Sequence, residues 1–204
     1  MGLYSIRLTA KKEYSKIQKS ERKLNLLKQN FNADVPNKVW ISDVTLLKLK
    51  DRYYYLCAII DLYSRKVISY NISRSDNTHL ITETLRGAIA CRHAKGVIFH
   101  SDRGSSYVSY TAAKVMKKNG IVQSFSKKGT PHDNAVMESF FASLKREEYY
   151  RSNYRSEVDL KRRIGKYIEF YNTERPHGTL GHMTPEEKED SFRKAGAEKA
   201  ILGE

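Results

Sequence analysis

Three acids in this 204-residue chain sit where a carboxylate needs a reason. Asp43 falls inside the β-rich run Val39–Leu49. Asp is depleted in strands because its side chain competes for backbone hydrogen bonds and resists burial. Asp102 follows the short apolar run Val97-Ile98-Phe99, at the carboxyl end of an expected strand, where α/β sheets bind ligands. Glu138 lies one turn into a helix expected to start near Asp133 or Asn134. Taken singly, each is ordinarily a solvated or capping carboxylate. Taken as a set, they offer hard oxygen donors for Mg²⁺ or Mn²⁺. Two such ions ~4 Å apart activate an attacking oxygen and stabilise a leaving one in phosphoryl transfer. A shared carboxylate would bridge the ions, with the outer ones binding one ion each.

Spacing alone carries little. Thirty-five residues separate Asp102 from Glu138, and the same offset recurs at Asp133 and Glu169. Local context separates the two pairs. Asp133 stands at a helix start, where an acid caps and complements the dipole. Glu169 lies in a basic helix and is expected to pair locally with Lys or Arg. His100 and His132 flank the acids, but the six His form no Cys/His cluster at ligand spacing, which argues against zinc. Cys57 and Cys91 also lack ligand spacing, and both are read as small buried hydrophobes.

Net charge narrows the partner. The chain carries +14 with 40% hydrophobic residues, enough for a core and too basic to be indifferent to polyanions. A chain of this length buries ~70% of its unfolded surface, so it needs no disulfide or metal staple. No apolar run reaches the ~18 residues of a membrane span, and MGLYSIRLTAKKEY has no apolar signal core. A reduced, cytoplasmic setting and no membrane partner are the default expectations. Residues 1–33 hold eight Lys and Arg against two acids and read as a basic arm or linker. Residues 34–150 are read as the core. Residues 151–204 are nearly balanced and read as a helix followed by a solvated helix or frayed tail.

The elements that must position the three acids follow from periodicity. Val39–Leu49, 53–60 and 66–72 form a meander of antiparallel strands joined by polar turns. Residues 78–93 read as a helix capped from Ser75, Asp76 or Asn77. A short strand at 97–99, a helix at 109–118 stopped by Asn119-Gly120 and a strand at 121–124 follow. Loop 125–131, with Lys127 and Lys128, is basic and expected to be mobile. Helices then span from about 134 to 148 and 156 to 171. A meander followed by helix-crossover strands predicts an α/β fold with a mixed five-stranded sheet and helices on its faces. Trp40 is read as core, and Tyr53, Tyr54 and Tyr55 as core and rim packing. Asp61 is read as turn chemistry and His177 as packing at a helix exit.

Four blocks carry a family resemblance. The run from Asn37 to Thr45 around Asp43 resembles the first-carboxylate strand of bacterial transposases of the insertion-sequence-three family. These belong to the retroviral-integrase-like superfamily with an Asp-Asp-Glu triad. His100-Ser101-Asp102-Arg103-Gly104-Ser105-Ser106-Tyr107 resembles their second block. The run from Ser126 to Phe141, with Asp133-Asn134-Ala135-Val136-Met137-Glu138, resembles the third. Tyr171-Asn172, Arg175-Pro176-His177, Leu180-Gly181 and Thr184-Pro185 resemble the C-terminal signature. Ser106 and His132 stand where the family often has Gln and Tyr, and neither is a ligand position.

The resemblance implies a ribonuclease-H-like fold in which Asp43 and Asp102 face one another and Glu138 arrives from a helix. It also implies two Mg²⁺ ions, DNA ends and target DNA as substrates, and cleavage followed by strand transfer. A homo-oligomer on DNA is expected by analogy. Lys145, two turns and ~10 Å beyond Glu138 on one helix face, corresponds to a residue that grips a DNA phosphate. Its ordinary reading is a solvated Lys. Asn134 either orients a ligand or caps its helix. Lys127 and Lys128 are candidates for non-specific backbone contact. Arg103 is another, with a local salt bridge as the alternative. Two rival functions stay open on the sequence. One is a truncated DNA-binding regulator or inactive remnant; the other is a nuclease of the same fold without strand transfer.

Overall fold

The computed structural model describes residues 25–27, 33–126 and 134–202. Five strands form one mixed sheet: β1 (Val39–Leu49), β2 (Arg52–Asp61), β3 (Val67–Ser73), β4 (Ile98–Ser101) and β5 (Val122–Phe125). Their spatial order is β3-β2-β1-β4-β5. The first three are antiparallel neighbours, whereas β4 joins β1, and β5 joins β4, in parallel. Parallel joins require crossovers, supplied by α1 (Thr78–Arg92) and α2 (Tyr110–Lys118). Three further helices follow: α3 (Ala135–Glu147), α4 (Glu157–Thr173) and α5 (Pro185–Leu202).

Alternation along β1 splits the core into two layers. Val39, Ile41 and Leu47 pack on one face with Met137, Phe140 and Leu144 of α3 and Leu160, Ile164 and Ile168 of α4. Trp40 packs on the other with Leu85 and Ala88 of α1 and Met116 of α2. The period of two in the strand thus sends odd-numbered residues toward α3 and even-numbered ones toward α1.

Caps and turns follow the expected chemistry. Asn77 accepts the Leu80 amide at 3.0 Å to start α1, and Gly120, at φ +66°, ends the turn after α2. Asp61 is buried in its turn, accepting the amides of Asn37, Tyr63 and Ser64. Trp40 and Tyr54 are buried, and Tyr53 is exposed. His177 is buried edge-on against Tyr171.

Three expectations are corrected. Cys57 is buried, but Cys91 is exposed. The inward stripe of α1 runs Ile81, Leu85, Ala88, and Arg92 takes the next inward step and pairs with Glu189. Cys91 is therefore turned off that stripe. Glu169 is exposed and forms no ion pair among the described residues. The C-terminal helix is docked through its first turns, whereas residues 191–198 are exposed, as expected of a solvated helix. Thr184 and Glu187 form a reciprocal capping box at the start of α5. Glu189, 4% exposed, ties that helix to α1 and to the β2–β3 turn. The expected basic arm at 1–33 lies largely outside the described residues, as do Asp133 and His132.

Candidate active site

The parallel ladder between β1 and β4 pairs Val39 with Ile98, Trp40 with Phe99 and Ile41 with His100. Two residues further on, the two strands reach Asp43 and Asp102. Two steps preserve the face of a strand, so Asp43 shares the face of Ile41, while Asp102 is the first residue past the end of β4. Ile41 and Ile98 both pack in the layer that contains α3. Glu138 lies in the first turn of α3, the same helix that supplies Met137, Phe140 and Leu144 to this layer. The strand register and one packed helix thus bring three separate segments to the carboxyl end of β4, beside the middle of β1.

Electrostatics register their proximity. Asp43 is half-buried. Its carboxyl is pushed up to about 6, chiefly by burial and further by the negative charges of Asp102 and Glu138. Hydrogen bonds from the Val44 amide (2.8 Å to Oδ1) and the Asn134 side chain (2.8 Å from Nδ2 to Oδ2) pull the other way. Asp102 and Glu138 are exposed. Asp102 Oδ1 accepts the Gly104 amide at 2.9 Å, which folds the carboxylate back onto its own loop. A Cβ at position 104 would lie 3.0 Å from that oxygen, so a larger residue there would press on the Asp102 carboxylate. Among the described residues, no three His, Cys, Asp or Glu side chains are gathered tightly enough to hold a metal. The acids form one charged edge rather than a closed cage.

The Asn134 side chain reaches Asp43 instead of capping its helix. The residue stands at the start of α3 without a side-chain capping bond, its Nδ2 spent on Asp43. Its Oδ1 is buried and has no hydrogen-bond partner. Lys145 is half-buried on α3 and makes no ion pair among the described residues. Among the described residues Arg103 forms no salt bridge; its Nε donates to the Ser126 carbonyl at 3.1 Å, tying the Asp102 loop to the end of β5. Lys127 and Lys128 lie outside the described residues. His100 is buried, with Nδ1 3.0 Å from Ser124 Oγ, which suits a structural role.

Two integrase core domain models match this chain, over residues 33–131 and 119–185. The chain is 36% identical over 192 residues to the transposase for insertion sequence element IS904 of Lactococcus lactis, covering 93% of this chain and 76% of that protein. It belongs to this family of insertion-sequence transposases. It is also 37% identical over 168 residues to the transposase InsF for insertion sequence IS3A of Escherichia coli K12, covering 81% of this chain and 58% of that protein. Solved structures share the fold at lower identity. One is a chain of the simian T-cell lymphotropic virus intasome in complex with PP2A regulatory subunit B56 gamma. It has a TM-score of 0.68 at 20% identity, with 78% of this chain and 56% of that chain covered. Another is the HTLV-2 integrase catalytic core domain in complex with magnesium (TM-score 0.57, 19% identity, 74% and 94% covered). The sheet is therefore ribonuclease-H-like. No helix among the described residues is long and apolar enough to cross a membrane.

Within this transposase family frame, several supporting contacts escape sequence reasoning. Arg175 forks onto Glu147 at the end of α3, with both nitrogen–oxygen distances 2.9 Å, and Tyr167 donates to the same carboxylate at 2.8 Å. The C-terminal signature thereby braces the helix that carries Glu138. Asn172 brackets Val67 of the edge strand β3, accepting its amide at 2.9 Å and donating to its carbonyl at 3.0 Å. Tyr107, which closes the second sequence block, bonds Ser42 across the core. A buried Tyr needs a partner for its hydroxyl, and that rule was the available signal.

Proposed function

We propose that this chain is the catalytic core of a transposase that cuts DNA at element ends and joins the resulting 3′-hydroxyl to target DNA. Asp43, Asp102 and Glu138 are its catalytic carboxylates. The observation that carries this reading is the meeting of Asp43, Asp102 and Glu138 from three separate segments, where burial first and then the charges of the other two acids raise the Asp43 carboxyl. Such an edge of negative charge within a chain of net charge +14 suits a divalent cation between protein and DNA.

The residues fit Mg²⁺. All three side chains are hard oxygen donors, and the buried, unpartnered Oδ1 of Asn134 adds another oxygen acceptor beside Asp43. The HTLV-2 core, of the same fold, was solved with magnesium, and two ions with Mn²⁺ as substitute is the cofactor reading. Bound there, the metal would sharpen the attacking hydroxyl and neutralise charge on the scissile phosphate. Asn134 holds Asp43 in position through its Nδ2. Lys145, further along α3, contacts a DNA phosphate, and Arg103, Lys127 and Lys128 contact the backbone without reading sequence. Water attacks first and leaves a 3′-hydroxyl. That hydroxyl then attacks a target phosphodiester, forming the new ester as the target strand's own 3′-oxygen leaves and takes up a proton, with no covalent protein intermediate. DNA ends brought together this way call for at least two copies of the protein on DNA.

The test is Asp43→Asn, Asp102→Asn and Glu138→Gln, each assayed for Mg²⁺-dependent cleavage and joining of labelled end DNA. Each substitution is expected to abolish both steps while a gel shift shows DNA binding intact. Full activity in any one removes that residue from the site. Hydrolysed ends without joined products would mark a nuclease instead.

A further inference from the structure

The β1–β4 ladder stops at Ile41 and His100, two residues short of Asp43 and Asp102. Backbone pairing therefore does not fix the separation of the two acids. Something else must hold the Asp102 loop against β1, and the contacts identify it. The Gly104 amide donates to Asp102 Oδ1, and the Tyr107 amide donates to the Gly104 carbonyl at 3.0 Å. Gln123 of β5 donates to the Tyr107 carbonyl at 2.9 Å. The Tyr107 hydroxyl lies 2.8 Å from Ser42 Oγ. Ser42 donates its one hydroxyl proton to the Ala58 carbonyl of β2, at 2.9 Å, so the tyrosine is the donor in their mutual bond. Ser42 directly precedes Asp43. A continuous chain thus runs from the Asp102 carboxylate through Gly104, Tyr107 and Ser42 to the residue beside Asp43.

Tyr107 is 3% exposed, and its ring packs against Phe99 with centroids 6.2 Å apart, in the layer facing α1. Asp43 faces the other layer. The tyrosine therefore touches neither DNA nor the reacting atoms.

We infer that Tyr107 is a positioning residue, a strut from the Asp102 loop to β1 that sets the spacing of Asp43 and Asp102 where the strand ladder no longer does. This rests on the carboxylate assignment proposed above and goes beyond it. Residues that orient metal ligands from outside typically change metal affinity or activity by roughly 10–100-fold when lost.

Tyr107→Phe removes only the hydroxyl and keeps the ring. Its amide exchange at Gly104 and Tyr107, in metal-free protein, is expected to quicken by roughly 5- to 10-fold, the loss of about one hydrogen bond, while the global unfolding midpoint holds. Mn²⁺ binding to the same protein without DNA, read by water proton relaxation, is expected to weaken by a similar factor. Strand transfer should fall with it and recover in part at high Mg²⁺. Unchanged loop exchange and Mn²⁺ affinity in the folded variant would overturn the inference. So would a loss of activity that merely tracks loss of folded protein. If Tyr107→Phe fails to fold, Ser42→Ala removes the acceptor from the opposite side, and the same two readouts decide. Asp102→Asn runs in parallel. Full activity there means the carboxylate assignment has failed, and the strut falls with it. An inactive Asp102→Asn beside an unaltered Tyr107→Phe means that only the strut has failed.

Discussion

Asp43 is a strand residue that the fold holds at a cost. Its carboxyl sits at about 6 against 3.8 for an ordinary Asp. A group raised on folding favours the folded state when protonated. Its contribution is therefore full below about pH 4 and is lost as the pH rises through about 6. At neutral pH and without metal, an ionised Asp43 opposes folding by up to roughly 3 kcal/mol, since each pH unit is worth ~1.4 kcal/mol. Asp43→Asn removes that charge and keeps the shape. A half-turn of the Asn134 amide would present its unpartnered Oδ1 to the new Nδ2. Thermal unfolding in chelator at pH 8 is expected to show Asp43→Asn more stable than the native protein, with the gap closing by pH 4. A less stable variant at pH 8 would show that the carboxylate is not electrostatically burdened. The same residue was legible from the sequence alone, because an Asp within a strand of Val, Ile and Leu breaks a local preference. Asn134 was legible only as two alternatives. Its partner, Asp43, lies 91 residues away, and no local pattern chooses between capping and reaching across.

At the scale of elements, strand and helix positions were readable from period two, period 3.6 and the caps. Their mutual bracing was not. Ser42 meets Tyr107 across 65 residues and Glu147 meets Arg175 across 28, separations at which a sequence shows residue types but no pairing. Cys91 shows the complementary failure. It continues an apolar helix by composition, but Arg92 occupies the inward step and is stabilised there by a partner on α5. The Arg175–Glu147 fork makes its own prediction, because it holds α3 and hence Glu138. Arg175's two hydrogen bonds, with help from Tyr167 and Arg146, hold Glu147 down to about 2 against the ordinary 4.5. A group lowered on folding stabilises above its unfolded value, and that stability fades as the pH falls toward 2. Arg175→Ala is expected to cost about 1 kcal/mol in urea unfolding at pH 7, and the difference should shrink below about pH 4. Arg175→Lys should fall between, because an ammonium cannot fork onto both oxygens. A pH-independent loss would assign Arg175's role to packing on Tyr171, over whose ring its guanidinium also lies.

The whole molecule is drawn together at Glu189. This one carboxylate joins α5 to the end of α1 through a two-pronged bond with Arg92, at 2.7 and 2.9 Å. It also accepts the Ser64 hydroxyl at 2.8 Å and lies 3.7 Å from Lys66, both in the turn between β2 and β3. Burial works against its charge, yet Arg92, Ser64 and Lys66 together hold its carboxyl below the ordinary range. Side-chain exposure is 5% for Glu189 and 14% for Arg92, so neither charge finds water if the other is removed. Breaking a buried pair from one side typically costs about 3–5 kcal/mol, whereas replacing both members with apolar groups is often neutral. Glu189→Ala is accordingly expected to lower unfolding stability by about 3 kcal/mol, read from the urea midpoint at unchanged slope. The double change Arg92→Leu with Glu189→Leu should recover most of that loss. A single-site loss below about 1 kcal/mol would match an exposed pair and show that α5 is held by its capping box and by the edge contact of Phe192 on Tyr63 instead.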